Sequence, residues 1–488
     1  MLQKLNIKWV YALVILFVAL NSIFTANEFY YFSLIPVILL LVILYIKSLD
    51  TILFIITFFT PLSVIYEFKG AGLSLSLPTE PLMILTLGLF LIKFLIEGGI
   101  DRNISRHPIA IAVTINLVWM TLTCVTSSMP MVSFKYLLAR LWFVVPFYFL
   151  CTLLFKKIEN ITKFLWFYIV PMAIISAYTI IVHSQYGFDE ETAHWVMDPF
   201  FNDHTSYGAM LAFFFPVLIG FSFSKNYSIT FRTVSWFFLV FYSVAIVLSY
   251  TRAAWVSLIV SLIMYFLMLA KVKFNGLIAV GGIVLIVVLF NIDKLLMKLE
   301  KNRQDSSSNL TEHVQSISNI SSDASNLERL NRWSSAIRMF GDKPLFGFGP
   351  GTYMFQYAPY QKADEKTIIS TNSGDAGNAH SEYIGPLAEQ GLLGLVSFFI
   401  IFLTCVYTSL KLFYKLPKGK NRGMVAMLFL GILTYFVHGA LNNFLDTDKA
   451  SVPFWGFLAA LTSIDLFHSN VSDAKETSNT INPELFNN

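Results

Sequence analysis

Charged residues are scarce in this chain: they make up 13% of its 488 residues, whereas a soluble domain carries about a quarter. Hydrophobic residues make up 56%, and the mean hydropathy is +0.64. A soluble globular protein is therefore excluded. Apolar runs recur from end to end, and each is long enough to cross a hydrocarbon core of about 30 Å as a helix. The strands of a membrane β-barrel would instead show weak alternation of apolar and polar residues.

Cysteine is also scarce, and several chemical motifs are absent. Cys124, Cys151 and Cys405 all lie within apolar runs and form no C-x-x-C pair, no metal-ligand spacing and no disulfide framework. There is no Walker loop, no metal-ligand cluster and no Ser-His-Asp order, so we expect neither a metal nor a cofactor. We also expect no nucleic-acid partner. The start from Met1 to Lys8 is basic and lacks a small-residue cleavage site, so the first apolar run is predicted to be an uncleaved span.

The apolar runs predict an all-α polytopic membrane protein with about fourteen transmembrane helices. Lys and Arg gather in every second connection, most densely between 411 and 422. Cytoplasmic loops carry this excess, which places both termini in the cytoplasm. The spans are predicted near 9–25, 31–47, 51–66, 82–97, 108–127, 137–155, 164–183, 208–224, 233–250, 254–270, 276–291, 383–410, 424–440 and 452–467.

Two outer segments divide the chain into regions. Residues 1–291 hold eleven predicted spans together with an outer segment, 183–207, that is rich in aromatic and acidic residues and contains His194, Asp203 and His204. Residues 292–382 form one large outer loop, whereas connections between elements are typically about 4–6 residues long. Residues 383–467 hold the last three spans. The Ser/Asn-rich stretch 304–325 is predicted to be mobile, and the polar tail 468–488 to be disordered in the cytoplasm.

The large loop contains an amphipathic helix followed by a glycine-rich turn. Apolar residues recur at helical spacing from Leu327 to Phe340, and Gly341 and Pro344 then end the pattern. The turn, GFGPGTY, begins at Gly347. It lacks the Lys-Ser/Thr that follows a phosphate-binding loop, so we interpret it as a turn.

Four arginines and one histidine on the outer side are candidates for chemistry. Arg252 precedes a span, and such residues face a polar cavity or simply reach toward lipid headgroups. Arg329, Arg332 and Arg338 share the amphipathic helix; their guanidinium groups suit phosphate oxygens, although a solvated helix face is the alternative. His380 introduces the twelfth span. Its imidazole could accept a proton near neutral pH, or it could be only a polar anchor at the interface.

Two stretches resemble the O-antigen ligase and polymerase superfamily, bacterial membrane proteins that handle undecaprenyl-diphosphate-linked glycans. ERLNRWSSAIRMFGDKPLFGFGPGTY, from Glu328, is similar to the family's Arg-x-x-x-Trp helix and its Pro-Leu-x-Gly-x-Gly turn. AHSEYIGPLAEQGLLG, from Ala379, is similar to its His-[Asn/Ser]-x-x-Leu motif, with Ile384 at the usual Leu position. The layout of many spans with one large periplasmic loop covers most of the chain.

The resemblance implies a GT-C-like, metal-independent, inverting glycosyltransferase. It would act at the periplasmic face of the inner membrane on an undecaprenyl-diphosphate-linked glycan donor, a lipid or glycan acceptor and the surrounding membrane lipids. Arg252 and Arg329 would hold the lipid diphosphate, with Arg332 as a further phosphate contact. His380 would be the general base for the acceptor hydroxyl. His204 would line an acceptor or sugar pocket.

Several alternatives stay open. The acceptor decides between ligation of a finished polysaccharide, polymerisation of repeat units and protein O-glycosylation, and we favour ligation. A solute transporter is the alternative from another class; it would show broken helices or ionisable residues near the bilayer midplane. A scaffold without catalysis would not bring Arg252, Arg329 and His380 together. The enzyme hypothesis requires that they share one reacting centre.

Overall fold

The computed structural model describes residues 7–29, 32–33, 35–68, 73–290, 324–363, 365–366, 370 and 377–469. The helices in the first part of the chain are α1 (Ile7–Ala26), α2 (Ile35–Lys47), α3 (Leu49–Leu62), α4 (Thr79–Glu97), α5 (Arg102–Ser105), α6 (Pro108–Val125), α7 (Pro130–Val144), α8 (Cys151–Leu154) and α9 (Ile158–Ser184). They are followed by α10 (His204–Phe223), α11 (Ile229–Leu248), α12 (Arg252–Leu269), α13 (Phe274–Phe290), α14 (Ala324–Asp342), α15 (Tyr353–Gln356), α16 (Ile384–Lys415), α17 (Lys420–His438) and α18 (Asp448–Phe467).

These helices confirm the all-α polytopic class, and one lies at each of the fourteen predicted span positions. Among the described residues, nine helices are long and apolar enough to cross a membrane, and shorter apolar helices are found at Val14–Ala26, Leu49–Leu62 and Phe274–Ile283. The total of about fourteen spans stays a prediction. Most of the Ser/Asn-rich stretch and nearly all of the polar tail lie outside the described residues.

The chain divides into two units, residues 1–55 and 56–488. The first contains α1, α2 and the beginning of α3. In the second, α18 is almost fully buried, with Trp455 and Phe457 at 2% and 0% exposure, and it packs on α16, α17 and the segment between α7 and α8. Helix α10 packs between α11 and α17. Outward faces carry large apolar side chains, such as Leu262 and Phe266 on α12, as a lipid-facing surface requires.

Polar side chains bond neighbouring helices to each other inside the second unit. The Tyr148 hydroxyl lies 3.1 Å from the Thr462 hydroxyl, and the Tyr168 hydroxyl donates to the carbonyl of Lys449 at 2.7 Å. Such bonds hold helices together where no water can satisfy a buried polar group.

The structure differs from the predicted layout in three places. The third predicted span ends early: β1 (Val64–Phe68) follows α3 and pairs antiparallel with β2 (Leu73–Leu77), whose Leu-Ser alternation has the period of a strand. Helices α7 and α8 are joined by a π-helical segment, Val145–Leu150, into one long span. Helix α16 is broken at Gly391, where φ is +69°. Local patterns do not show such breaks.

Candidate active site

Helix α14, the amphipathic helix, carries the three loop arginines, and two of them have extensive protein contacts. Arg338 donates from both terminal nitrogens to the Glu365 carboxylate, at 3.0 and 2.6 Å, and from Nε to the carbonyl of Tyr360 at 2.6 Å. The Arg332 side chain is only 5% exposed, and its Nε donates to Glu328 Oε1 at 2.8 Å. Arg338 and Arg332 are thus held by acidic partners from the same loop.

Arg332 also fastens the segment that leads to His380. Its guanidinium lies 4.8 Å from the ring centroid of Tyr357, and Nη1 donates to the carbonyl of Asn378 at 3.4 Å. A Cβ on Gly377 would lie 1.9 Å from Nη1, and φ there is +121°. Only glycine allows this close approach. Arg332, the predicted phosphate contact, therefore also has a structural role, because it holds the segment that leads to His380.

His380 has an unusual backbone conformation. Its φ is +48°, a left-handed conformation that costs a non-glycine residue free energy. Its amide donates to the Asn378 side-chain oxygen at 3.0 Å, and the side chain is half-buried. Strained residues of this kind cluster at functional sites. The observation singles out His380 by a criterion independent of its motif.

Positive charge surrounds the His380 ring. Burial and the charges of Arg329 and Arg332 together lower the pKa of His380 to about 4, against the opposing charges of Asp203 and Glu328. The ring is therefore neutral at pH 7 and can accept a proton. Arg329 and Arg332, one helical turn apart on α14, both act on this single imidazole.

The outer segment before α10 meets the same region. Asp203 caps α10, accepting from the amide of Ser206 at 2.7 Å. His204 is the first residue of α10, and its ring stacks on His194 with the centroids 4.1 Å apart. The carbonyl of His204 accepts from the Thr251 hydroxyl at 2.7 Å.

Arg252 begins α12, one residue after Thr251. Its Nη2 lies 3.8 Å from Glu190 Oε1, and both side chains are about 30% exposed. The charges of Arg329 and Arg332 thus act on His380. Arg252 follows Thr251, which bonds the His204 carbonyl. That these residues form one catalytic site stays a prediction.

A comparison with known protein families gives a match in this part of the chain. Residues 237–399 match the family model described as O-antigen ligase. This match supports the resemblance to the O-antigen ligase and polymerase superfamily. Of the predicted site residues, Arg252, Arg329, Arg332 and His380 lie inside the matched range, and His204 lies before it. No curated protein matches the chain.

The matched family implies a glycosyltransferase-like enzyme of the ligase or polymerase type that acts on lipid-linked glycans. Together with the apolar helices, the match supports a multi-pass membrane protein of polysaccharide biosynthesis. Within the described residues, no group of three or more His, Cys, Asp and Glu side chains is arranged to hold a metal ion.

A buried acidic residue next to the family motif was not predicted from the sequence. Glu382 is 6% exposed, and its Oε1 accepts from the Tyr435 hydroxyl at 2.6 Å and from the amides of Phe444 and Leu445, both at 2.9 Å. Its own amide donates to the carbonyl of Gly439 at 2.8 Å. Glu382 therefore fastens the His380 segment to the connection between α17 and α18.

Arg140 on α7 is hydrogen-bonded to the same connection. It is 8% exposed, and it donates to the Leu445 carbonyl and to the Tyr136 hydroxyl, both at 2.9 Å. The amide of Leu445 bonds Glu382 while its carbonyl bonds Arg140. For Arg140, the sequence signal was a charge inside the predicted span 137–155, which is rare and usually functional.

A cavity of about 40 Å³ lies behind the His380 segment. Its wall includes Asn378, Ser381, Glu382, Arg140 and Gln390, so it is polar and large enough for ordered water. The glycine-rich turn closes another side of this region: it packs on the break in α16, and the amide of Tyr353 donates to Glu389 at 2.9 Å.

Proposed function

We propose that this protein is a membrane glycosyltransferase that moves a glycan from undecaprenyl diphosphate to an acceptor hydroxyl at the periplasmic face of the inner membrane. The reaction is a single displacement with inversion. The acceptor oxygen bonds to the anomeric carbon, the bond from that carbon to the diphosphate oxygen breaks, and the diphosphate leaves with the electron pair. No metal takes part in this proposal.

The observation that carries the proposal is the neutral His380 imidazole, on which the charge of Arg329 acts. An imidazole must be uncharged to take the acceptor proton. Negative charge meanwhile grows on the departing diphosphate, and preorganised cations stabilise charge best where it develops. A base and a cation side by side therefore suit both ends of one displacement.

Binding of the donor would also raise the pKa of His380. The charges of Arg329 and Arg332 lower the pKa of His380, and a diphosphate bound at Arg329 would offset part of this positive charge. His380 would then become a stronger base once its substrate is in place. The pKa of the free enzyme, about 4, is accordingly a lower limit on that of the loaded site.

The other predicted residues take distinct roles in this scheme. Arg252, about 30% exposed at the start of α12, would meet the diphosphate from the lipid side, exchanging Glu190 for phosphate. Arg332 would position the His380 segment through Asn378 and add only long-range charge. His204 would face the acceptor or the sugar.

Ligation of a finished polysaccharide is the variant we favour, and polymerisation is the alternative. A transporter finds less support. A broken helix, which we expect of a transporter, does occur at Gly391. However, the segment around the glycine-rich turn packs against this break, and the Leu392 amide donates to the carbonyl of Pro344 at 2.9 Å. The break therefore serves to seat a loop.

Replacing His380 with Ala in the native host tests the proposal. We expect surface polysaccharide to be lost and lipid-diphosphate-linked glycans to accumulate, because no group would take the acceptor proton. Accumulated long chains would indicate a ligase, and single repeat units a polymerase. His468→Ala is the control, since His468 bonds the carbonyl of Phe155 at 2.9 Å away from the arginines. Normal surface polysaccharide from correctly inserted H380A would refute the role of His380.

A further inference from the structure

His438, the last residue of α17, is a second histidine in the same electrostatic environment as His380. It is 1% exposed. The charged and titratable side chains that act on its ring are Arg329, Asp203 and His204. Arg329 and Asp203 also act on His380. His438 lies outside the range matched by the family model, and its position at the end of an apolar span gave no signal in the sequence.

The backbone places the two histidines on adjoining segments. The amide of Glu382, two residues after His380, donates to the carbonyl of Gly439, one residue after His438, at 2.8 Å. Glu382 also accepts from Tyr435, three residues before His438. These bonds fix the end of α17 beside the His380 segment.

The hydrogen bond to Asn442 determines which ring nitrogen of His438 carries the proton. His438 Nε2 lies 3.1 Å from Asn442 Nδ2. An amide NH₂ can only donate, so Nε2 accepts and the proton of the neutral ring is on Nδ1. The tautomer is therefore set by a neighbour on the same connection.

Nδ1 of His438 is buried and has no hydrogen-bond partner among the described residues. A buried donor without an acceptor loses its bonds to water without compensation, so such atoms call for an explanation. An oxygen of a bound substrate would provide one. Because Arg329 acts on the same ring, the oxygen most favoured there is an anionic one.

We propose that His438 is a substrate-binding residue whose Nδ1–H donates a hydrogen bond to a phosphate oxygen of the lipid diphosphate. This inference rests on the proposed function. It adds a neutral donor to the cationic contact at Arg329 and assigns a role to the connection between α17 and α18. A hydroxyl of the acceptor is the other oxygen that could reach this donor.

Binding of undecaprenyl diphosphate to the purified full-length protein in detergent micelles tests the inference. His438→Leu removes the donor, and we expect affinity to fall about 10- to 100-fold, as for a lost hydrogen bond to a charged group. His438→Asn restores an amide donor close to the Nδ1 position, so its affinity should stay within about threefold of the original. A merely structural role would not give this rescue, because both variants lose the imidazole.

Three outcomes separate the possibilities. His468→Leu, a partly buried histidine at another place, should bind like the original protein and controls for general destabilisation. If His438→Leu binds the diphosphate normally, the inference is wrong; a rise in acceptor KM alone would assign the ring to the acceptor. If Arg329→Gln also leaves the affinity unchanged, the diphosphate site of the proposed function is itself wrong.

Discussion

Removing the Glu382 carboxylate should damage the site without touching the substrate. In Glu382→Leu, the Tyr435 hydroxyl and the amides of Phe444 and Leu445 lose their common acceptor. Each buried donor left without a partner costs about 1–3 kcal/mol. Arg140 also loses the favourable interaction with the Glu382 charge. We expect a total destabilisation of about 3–5 kcal/mol, at the lower end of the sum for the three donors.

The effect of Glu382→Leu on catalysis follows from the position of Glu382, two residues after His380. Glu382 holds the backbone two residues after His380, whose conformation is already strained. A displacement of about 1 Å in a reacting group can cost about 100-fold in rate. Glu382→Leu should therefore lower kcat about 100-fold and leave the KM for the lipid-linked donor within about twofold, since Arg329 is unaffected.

Glu382→Gln provides the conservative comparison. Its amide oxygen can accept from the same three donors, so most of the activity should return. Unfolding of both variants in micelles and turnover of a lipid-linked donor are the measurements. Glu365→Gln is the control, because Glu365 forms its ion pair with Arg338 of the outer loop. The reasoning fails if folded Glu382→Leu keeps its kcat, or if its KM rises as much as its kcat falls.

Two further predictions concern the arginine and glycine features of the site. Burial and, next, the charge of Arg329 lower the pKa of His380 to about 4. Arg329→Gln removes that charge, so the acid limb of kcat/KM should move to higher pH, because the base works in its neutral form. The limb should stay in place in Arg338→Gln, and an unmoved limb in both would show that Arg329 does not act on the base. Gly391→Ala places a Cβ 2.2 Å from a carbonyl oxygen at a φ of +69° and should destabilise the protein by more than about 1 kcal/mol. Gly423→Ala, whose Cβ would meet nothing closer than 3.8 Å, should be neutral in the same thermal unfolding experiment.

Local patterns in the sequence predicted much of this fold. Apolar runs placed the helices, and helical spacing placed α14 at Leu327 to Phe340, inside the observed Ala324–Asp342. These features depend on residues near one another in the chain. The break in α16 does not, since it is stabilised by the distant turn. Glycine at 391 lies in an apolar run that is typical of an unbroken helix.

The residues of the candidate site likewise divide into those that local motifs predicted and those that they did not. His380 and Arg329 belong to short motifs and were predicted. Glu382 stands in the same motif, but its importance comes from Tyr435 and Leu445, more than fifty residues later. His438 has no motif of its own. Its environment is visible only when Arg329 and Asp203 are placed around it. The roles of Glu382 and His438 were therefore missed because their partners are distant in the sequence.

The glycine-rich turn packs on the break in α16, and this packing bears on how the protein is synthesised and inserted. The carbonyls of Ala388 and Glu389, which the break releases from helical bonding, accept from the amides of Phe348 and Gly349 at 3.1 and 2.7 Å. Exposed to lipid, each unsatisfied group would cost several kcal/mol. The turn precedes α16 in the chain, so translation delivers these donors before the span that needs them. The order of synthesis thus provides hydrogen-bond partners for these carbonyls by the time α16 is inserted.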